Sequence, residues 1–389
     1  MIKKFNITLI GIIIGVFLGF YLLFYTSLFS FGAKNSPAIL INPLAPKKQV
    51  IGFLPYWLLD KASTDYSKQI TTLAFFSLRI DGNGNIQKLL NAQQEEPGWY
   101  ALESGKLDPF FSNALKNNLT LSLTVASGDI NAIGALVSDP VTHAQNFISD
   151  IKPLMDKYKF SDLNLDIEDT QTASASSRAN FIQFVQQVKK ELGSDKTLTV
   201  EISPTDVIRN NLINPKAIGK IADNVVLMAY DYHSTDSFVT GPVAPISGAG
   251  VMSEYDVTSA VEKSLDLIPA IKLTLGIPLY GYGWESLGQA PRSAVIPNTG
   301  LAESNKSAEE LLSSCTNCTI KLDDQANEKY ISSFDQDTND YKTIFYPDKD
   351  STQAKIDLAN KMELNGIALW ALGYEGNSIL SPLEKYISK

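Results

Sequence analysis

Histidine and cysteine are scarce in this chain of 389 residues, which contains only two of each. A zinc site in a protein usually takes about four ligands from these residue types and from carboxylates. The two histidines, His143 and His233, lie far from each other and from the cysteines in the sequence. The sequence therefore indicates no metal site, and we expect no cofactor.

Positive charge is also in short supply, because 33 lysines and arginines face 42 aspartates and glutamates, for a formal net charge of −9. Proteins that bind nucleic acid without specificity need a basic surface, so we expect no nucleic-acid partner. The composition of 44% hydrophobic and 19% charged residues is typical of a globular protein with a sizeable core. The length leaves room for one large domain or two ordinary ones.

Charged residues are absent from the apolar run between Ile7 and Phe31. A helix over these 25 residues would be roughly 37 Å long, enough to cross a hydrocarbon core of ~30 Å with some tilt. A cleaved secretory signal has a shorter apolar region of about 7–15 residues and a small residue near its end, where this chain has Phe31. The pattern favours a retained transmembrane anchor over residues 1–31, with secretion after signal cleavage as the alternative.

The residues around this run predict its orientation and its connection to the rest of the chain. Lys3 and Lys4 precede the apolar run, which predicts a cytoplasmic N-terminus and a catalytic domain outside the cytoplasm at the cell membrane. Residues 32–48 are rich in proline, alanine, asparagine and lysine and show no periodicity. They are expected to form a linker.

The two cysteines lie close together in the sequence Cys315-Thr-Asn-Cys318. In a cytosolic protein this spacing would suggest redox chemistry, whereas outside the membrane it favours a disulfide that closes a small loop. The sequence leaves a local disulfide and two free thiols as the alternatives.

Residues 49–389 alternate between short apolar segments and amphipathic helical segments, the pattern of a parallel α/β protein. Eight strands close a (β/α)8 TIM barrel, and eight candidates are present. The long stretch before the last strand predicts a small α+β insertion at about 284–350 between the seventh and eighth strands. The strand candidates are Val50–Pro55, Thr72–Leu78, Thr120–Ala126, Leu163–Glu168, Leu198–Ile202, Asn224–Tyr230, Lys272–Pro278 and Gly366–Leu372.

One candidate strand, residues 162–168, carries polar side chains at every second position: Asp162, Asn164, Asp166 and Glu168. Alternate residues of a strand share one face, and both faces of a parallel sheet are covered. A buried column of carboxylates is costly unless it is paired or used in chemistry. The column also ends at the carboxyl end of its strand, where barrel enzymes hold their active sites. A solvated strand face is the alternative reading, and we favour a catalytic one.

Two carboxylates suggest glycoside hydrolysis, but their spacing limits the mechanism. Asp166 and Glu168 would lie about 6.6 Å apart at Cα and approach the substrate from the same side. They cannot flank a sugar ring as an acid and a nucleophile must, whereas a substrate-assisted route needs only one protein acid. In that route Glu168 protonates the glycosidic oxygen and the 2-acetamido oxygen of the sugar attacks the anomeric carbon. Asp166 would stabilise the acetamido nitrogen, and its charge is expected to raise the pKa of Glu168.

The segment Ser161-Asp-Leu-Asn-Leu-Asp-Ile-Glu168 resembles the signature Asp-Gly-x-Asp-x-Asp-x-Glu of the family 18 glycoside hydrolases, the chitinase-like barrels. The resemblance covers about residues 49–389 and implies that Glu168 is the general acid and base. Four positions depart from the signature, because Ser161-Asp162 replaces Asp-Gly, Asn164 replaces the first Asp of the triplet, and Ile167 replaces the usual aromatic. None of these changes removes the proton donor, so activity is expected.

Further residues carry the same resemblance at the ends of other strands. Met228-Ala-Tyr230-Asp231 is similar to the family motif of the sixth strand, which implies that Tyr230 contacts the acetamido carbonyl and that Met228 and Asp231 contact the sugar. Trp370 is similar to the tryptophan that forms the floor of the cleavage subsite, where a flat ring stacks on a sugar. Tyr56 and Trp57 follow the first strand and are further candidates for sugar contacts.

The resemblance is closer to one subgroup, the bacterial cell-wall and spore-cortex type that acts on peptidoglycan-like glycans. Gly241-Pro-Val-Ala-Pro245, the segment Tyr280-Gly-Tyr-Gly-Trp284 and Asn164 carry this similarity. The expected partner is a polysaccharide with N-acetylhexosamine units, either peptidoglycan or chitin. The alternatives are a glycan-binding lectin on the same barrel, which the presence of Glu168 disfavours, and a structural envelope protein.

Overall fold

Eight parallel strands close into a barrel in which each strand pairs with the next along the chain and the eighth pairs with the first. The computed structural model describes residues 48–169, 171–250 and 255–388. Six of the eight predicted strands agree with the structure to within one residue at each end, and the sixth and eighth end earlier than predicted. The barrel strands are Gln49–Pro55, Thr72–Arg79, Thr120–Ser127, Asp162–Ile167, Thr197–Ile202, Asn224–Leu227, Leu273–Pro278 and Gly366–Trp370.

The strands are short and buried because helices cover the outside of the barrel, so that outward-facing residues such as Leu163 and Leu165 join one continuous apolar core. Short 3₁₀ turns follow the first strand and precede the seventh, and a two-stranded hairpin of Leu89–Asn91 and Gln94–Glu95 follows the second. The helices are Pro97–Glu103, Asp108–Lys116, Ile130–Leu136, Pro140–Tyr158, Ala175–Leu192, Pro204–Ile208, Pro215–Ile221, Val257–Leu265, Asn305–Ser314, Lys349–Lys361 and Ser381–Ile387.

The inside of the barrel is divided between an apolar half and a polar half. Ile51, Phe53, Ala74, Val226 and Ala368 form a separate apolar cluster that draws on the first, second, sixth and eighth strands. The third, fourth and fifth strands instead supply buried polar side chains, namely Ser122, Thr124, Asp162, Asn164, Asp166, Thr199 and Glu201. The polar half of the interior leads up to the predicted catalytic carboxylates.

The predicted insertion between the seventh and eighth strands is an antiparallel sheet of five strands with one helix, Asn305–Ser314. It begins four residues before the predicted start, because Tyr280–Ser286 is already its first strand. The other strands are Leu301–Ser304, Thr319–Asp323, Glu328–Asp335 and Asp340–Tyr346. Cys315 and Cys318 form a disulfide just after the helix.

A buried ion pair connects the inserted sheet to the barrel. Lys355, in the helix Lys349–Lys361, lies 3.3 Å from the carboxylate of Glu328, and both side chains are almost fully buried. The other hydrogen bonds of Glu328 come from the backbone N–H groups of Val243 and Ala244. One carboxylate therefore joins the insertion, a barrel helix and the loop after the sixth strand.

The predicted anchor and all of the predicted linker except Lys48 lie outside the described residues. Within the described ranges, no helix has both the length and the apolar character that crossing a bilayer requires.

Candidate active site

Two side chains of the fourth strand and that of the residue after it form the centre of the candidate site. Asn164 and Asp166 are buried inside the barrel, with 1% and 4% of their surface exposed. The strand ends at Ile167, so Glu168 is the first residue beyond it and reaches solvent at the open end of the barrel. The predicted column is therefore present, with an acid at the mouth and two polar groups beneath it.

The carboxyl groups of this column hold their protons more tightly than free carboxyls do. Burial, followed by the charge of Glu168, raises the pKa of Asp166 well above its ordinary value. Loss of hydration in the cleft, followed by the carboxylates of Asp231 and Asp206, raises the pKa of Glu168. The carboxyls of Asp166 and Glu168 therefore interact, and carboxylates from other elements add to the effect on Glu168.

Asp162, which the sequence left without a role, lies at the opposite end of the barrel from the cleft. Its carboxylate accepts hydrogen bonds from Ser122 Oγ at 2.6 Å, Thr197 Oγ1 at 2.6 Å and Thr199 Oγ1 at 3.1 Å. Burial raises the pKa of Asp162 to about 6 despite these bonds. Asp162 therefore belongs to a structural polar layer that closes the bottom of the barrel.

Tyr230 and Asp231 follow the sixth strand and lie opposite the column. Burial, followed by the charge of Glu201 and of other nearby carboxylates, raises the pKa of Tyr230, so its hydroxyl group stays protonated and can donate. Asp231 has a left-handed backbone with φ of 61°. Its carboxylate accepts hydrogen bonds from the hydroxyls of Tyr280 and Tyr282, the latter at 2.8 Å. The inserted sheet thus holds one wall of the site.

Aromatic rings from three strand ends meet beside the column. The ring of Trp370 lies 4.5 Å from Phe76, 5.9 Å from Phe53 and 6.3 Å from Trp57, measured between centroids. Tyr56 packs edge-on against Trp57 at 4.8 Å. Trp57 keeps 46% of its surface exposed. The predicted aromatic residues are therefore brought together, with part of their surface available to a ligand.

Two open cavities lie at the carboxyl ends of the strands. One, of about 380 Å³, is lined by Glu168, Met228, Tyr230 and Asp231 among others. The second, of about 910 Å³, is lined by Tyr56, Trp57 and Phe76 together with residues of the second and third strand ends. Volumes of this size accommodate a few sugar rings or a drug-sized ligand.

The reasoning from sequence missed Phe76, Glu201 and Asp206, and it noted Tyr280 and Tyr282 without giving them a role in the site. Glu201 is 2% exposed and accepts a hydrogen bond from Asn164 Nδ2 at 2.8 Å. A signal for Glu201 exists in the sequence, since Thr197, Thr199 and Glu201 alternate with apolar residues and so give the fifth strand one polar face. Phe76 carries no such signal, because it is one of four consecutive apolar residues, 73–76, in its strand.

The acids of the column have no ion-pair partner in the part of the chain that the structure describes. Among the described residues, no lysine or arginine forms an ion pair with Asp166, Glu168 or Glu201. No group of three or more histidines, cysteines or carboxylates suited to a metal ion occurs in the described ranges. Closely spaced carboxyls without cations share protons, which suits general acid and base chemistry.

Comparison with known families matches residues 49–375 to the model of the glycosyl hydrolases family 18. The cortical fragment-lytic enzyme of Bacillus anthracis is 23% identical over 313 residues, which are 78% of this chain and 65% of that protein. The class V chitinase of Arabidopsis thaliana is 27% identical over 75% of this chain and 79% of that protein. The chain therefore spans about two thirds of the length of the Bacillus relative.

Solved structures share the fold. The spore cortex-lytic enzyme SleL of Bacillus cereus superposes with a TM-score of 0.70 at 20% identity, over 87% of this chain and 74% of that one. The Group IV chitinase of Ostrinia furnacalis superposes with a TM-score of 0.74 at 21% identity, over 88% of this chain and 100% of that one. At these identities the similarity is one of architecture.

Proposed function

The chain belongs to the glycosyl hydrolases of family 18, and on this basis we propose that it hydrolyses the β-1,4 bonds of glycans that contain N-acetylglucosamine. The observation that carries the proposal is the position of Glu168, one residue beyond the fourth strand and above the buried Asp166. A glycosidase needs an acid that keeps its proton near neutral pH and faces an open cleft. Glu168 has a raised pKa and lines a cavity of about 380 Å³.

The first step of the proposed reaction is substrate-assisted. Glu168 gives its proton to the glycosidic oxygen, the bond between that oxygen and the anomeric carbon breaks, and the acetamido oxygen of the same sugar bonds to the anomeric carbon. Asp166 and Glu168 occupy the same face of one strand, which supports this route over one with a carboxylate nucleophile. The mechanism therefore requires an N-acetylhexosamine at the cleavage point.

Two residues stabilise the positive charge that develops on the acetamido group. Asp166, as a carboxylate, accepts the acetamido N–H, and its negative charge stabilises the positive charge that grows on the nitrogen. Tyr230 donates its hydroxyl to the acetamido oxygen, and its raised pKa keeps the donor proton in place. In the second step Glu168 takes a proton from water, the water oxygen bonds to the anomeric carbon, and the bond between that carbon and the acetamido oxygen breaks. Two displacements at one carbon retain its configuration.

The aromatic cluster supports a saccharide as the ligand. The rings of Trp370, Phe76 and Trp57 pack edge to face near the ends of the first, second and eighth strands. Flat apolar rings contact the C–H faces of pyranose sugars while the sugar hydroxyls stay hydrated or hydrogen-bonded. We assign Trp370 as the floor of the cleavage subsite and Trp57 and Tyr56 as contacts further along the second cavity.

Peptidoglycan and chitin both carry the acetamido group that the mechanism uses. The names of the relatives include cortical fragment-lytic enzymes and chitinases, so they support both substrates. Hydrolysis of purified peptidoglycan and of chito-oligosaccharides, with products identified by mass spectrometry, distinguishes the two and shows whether cleavage is internal or terminal.

We also propose that residues 1–31 anchor the protein in the cell membrane, with the barrel outside the cytoplasm. The support is the uncharged run from Ile7 to Phe31 after Lys3 and Lys4. Membrane fractions washed with carbonate are expected to retain the full-length protein. Recovery of a shorter protein in the medium would instead indicate secretion after cleavage.

The function is tested by comparing the wild type with Glu168→Gln on both glycans. The wild type is expected to release reducing ends, and Glu168→Gln to lose nearly all turnover while still binding the glycan. Glu285→Gln, in the inserted sheet and outside both cavities, is the matched control and is expected to behave as the wild type. Binding of glycans without turnover by the wild type would favour the lectin alternative.

Substrate assistance has its own test, because an oligosaccharide with a free amine in place of the acetamido group lacks the internal nucleophile. Such an oligosaccharide is expected to bind without being cleaved. Cleavage of it at the rate of the acetylated form would contradict the proposed mechanism and would leave the assignment of Glu168 intact.

A further inference from the structure

Arginine is rare in this chain, because only four of its 33 basic residues are arginines: Arg79, Arg178, Arg209 and Arg292. Each cavity at the open end of the barrel nevertheless has an arginine in its wall, Arg209 in the smaller and Arg79 in the larger. Among the described residues that line them, neither cavity has a lysine. The cations of the cleft are therefore of the rarer type, whose planar fork binds a carboxylate through two parallel hydrogen bonds.

The two arginines differ in how their charge is used. Nε of Arg79 lies 3.6 Å from Oε1 of Glu96, a fully buried carboxylate, so its charge is paired within the protein. Arg209 is exposed and forms no ion pair with any carboxylate of the described ranges. Glu168 and Asp231, the acids that line the same cavity, are included in that statement. The guanidinium of Arg209 is therefore available to a ligand.

The backbone holds Arg209 at a defined place beside the acids. Arg209 follows the helix Pro204–Ile208, and its N–H donates to the carbonyl of Thr205. The helix begins directly after the fifth strand, where the N–H of Ser203 donates to the carboxylate of Asp206 at 2.8 Å. A cation after a helix also interacts with the helix dipole, but a helix of five residues offers little of this stabilisation. The helix dipole therefore does not account for an arginine in the cavity wall.

Resting on the proposed function, we propose that Arg209 binds a carboxylate carried by the glycan beside the cleaved bond, so that muramyl glycans are preferred over chitin. N-acetylmuramic acid carries a lactyl ether that ends in a carboxyl group. This carboxyl is either free or joined to a peptide that brings carboxylates of its own, whereas chitin has neither. The cavity of about 380 Å³ holds only about one or two sugar rings, so a group bound at Arg209 belongs to a sugar next to the bond that Glu168 protonates.

The charge of the cleft supports an anionic ligand. The chain has a formal net charge of −9, and Glu168 and Asp231 add local negative charge, so the cleft repels an anionic glycan. Arg209 is the one basic side chain among the described residues of this cavity wall. An unpaired guanidinium offsets that repulsion where the substituent binds, and an uncharged chitin chain would make no use of it. Arg209 takes no part in bond breaking.

The test compares kcat/KM on two soluble glycans of equal length, a chito-oligosaccharide and a peptide-free glycan of alternating N-acetylglucosamine and N-acetylmuramic acid. The wild type is expected to prefer the muramyl glycan. Arg209→Gln is expected to lower kcat/KM on that glycan about tenfold, mainly through KM, and to leave the chito-oligosaccharide unaffected. Arg209→Lys keeps the charge without the fork and is expected to retain part of the preference.

The controls separate a specific contact from a general effect of charge. Lys190→Gln removes one positive charge from the exposed side of the helix Ala175–Leu192 and is expected to match the wild type on both glycans. Methyl esterification of the muramyl carboxyls is expected to abolish the difference between the wild type and Arg209→Gln. Rising sodium chloride is expected to weaken the preference of the wild type but not that of Arg209→Gln. Thermal unfolding shows that each variant is folded.

A muramyl glycan with intact stem peptides identifies the source of the carboxylate. An effect of Arg209→Gln on the peptide-free glycan assigns the contact to the lactyl carboxylate. An effect confined to the peptide-bearing glycan assigns it to the peptide.

The inference and the proposed function fail in different ways. Equal losses on the chito-oligosaccharide and on the muramyl glycans, or no loss on either muramyl glycan, would show that Arg209 does not recognise a carboxylate. A wild type that cleaves the chito-oligosaccharide but neither muramyl glycan would overturn the inference and leave the proposed function intact. No turnover of any of the glycans by the wild type would instead refute the proposed function.

Discussion

Tyr282 donates its hydroxyl to the carboxylate of Asp231 across 2.8 Å, and this contact links the inserted sheet to the barrel site. Tyr280, two residues earlier on the same strand, donates to the same carboxylate oxygen. Burial, followed by the charge of Asp231, raises the pKa of both tyrosines, so both stay protonated donors. The insertion therefore orients a residue of the cleft wall.

Tyr282→Phe removes one of the two donors to Asp231 and keeps the ring. A hydrogen bond to a charged group contributes about 1.5–3 kcal/mol to stability, so thermal stability is expected to fall. Because Asp231 is then held less rigidly, kcat/KM is also expected to fall about tenfold. Steady-state hydrolysis of a chito-oligosaccharide measures the effect. Tyr341→Phe, in the same sheet without a contact to Asp231, is the control. Equal activity of the two variants would show that Asp231 needs only one donor.

Asp206→Asn is expected to move the alkaline limb of kcat/KM to lower pH. The charge of Asp206 raises the pKa of Glu168, and Glu168 must be protonated to act as the acid. Activity therefore falls as the pH rises through the raised pKa, and it falls earlier once that charge is gone. The amide introduced by this substitution keeps an acceptor oxygen for the N–H of Ser203. A pH profile unchanged from wild type, or one matching that of the exposed control Asp236→Asn, would contradict this assignment.

The free energy of unfolding of Asp162→Asn, relative to that of the wild type, is expected to be higher at pH 8 than at pH 4. The pKa of Asp162 is raised to about 6 in the folded state. Protonated Asp162 therefore adds to the free energy of unfolding of the wild type below its ordinary pKa, and this contribution is lost as the pH rises through about 6. Between low and high pH, the contribution of Asp162 to the free energy of unfolding changes by about 3 kcal/mol at most. Urea unfolding at both pH values measures it, with the exposed Asp195→Asn as control. A difference from wild type that does not vary with pH would refute the explanation.

Lys355→Met leaves the buried carboxylate of Glu328 without its partner. Removal of one member of a buried ion pair costs about 3–5 kcal/mol, whereas replacement of both members is far less costly. The double variant Lys355→Met with Glu328→Gln is therefore expected to recover most of the stability in urea unfolding. Lys349→Met, at the exposed start of the same helix, controls for loss of a lysine. A double variant as unstable as the single one would show that Glu328 does not depend on Lys355.

The eight strands and the catalytic column could be predicted from the sequence, because both are consequences of local pattern. Covered parallel strands are apolar at nearly every position, so the alternating Asp162, Asn164 and Asp166 stand out against neighbours such as Val225 and Leu227. The position of Glu168 at a strand end follows from the same pattern. The order of the strands along the chain then fixes which loops gather at the open end of the barrel.

Only the tertiary structure decided how these residues act on each other. The bond from Asn164 to Glu201 depends on the register between two strands, and the contacts of Asp231 with Tyr280 and Tyr282 join positions about 50 residues apart. The protonation of Asp166 and Glu168 likewise depends on burial and on charges brought in by other elements. The pattern of residues along the chain indicates which face of a strand a side chain occupies. The distances between side chains of different strands, and the dielectric around each carboxyl, are set only when the barrel has closed.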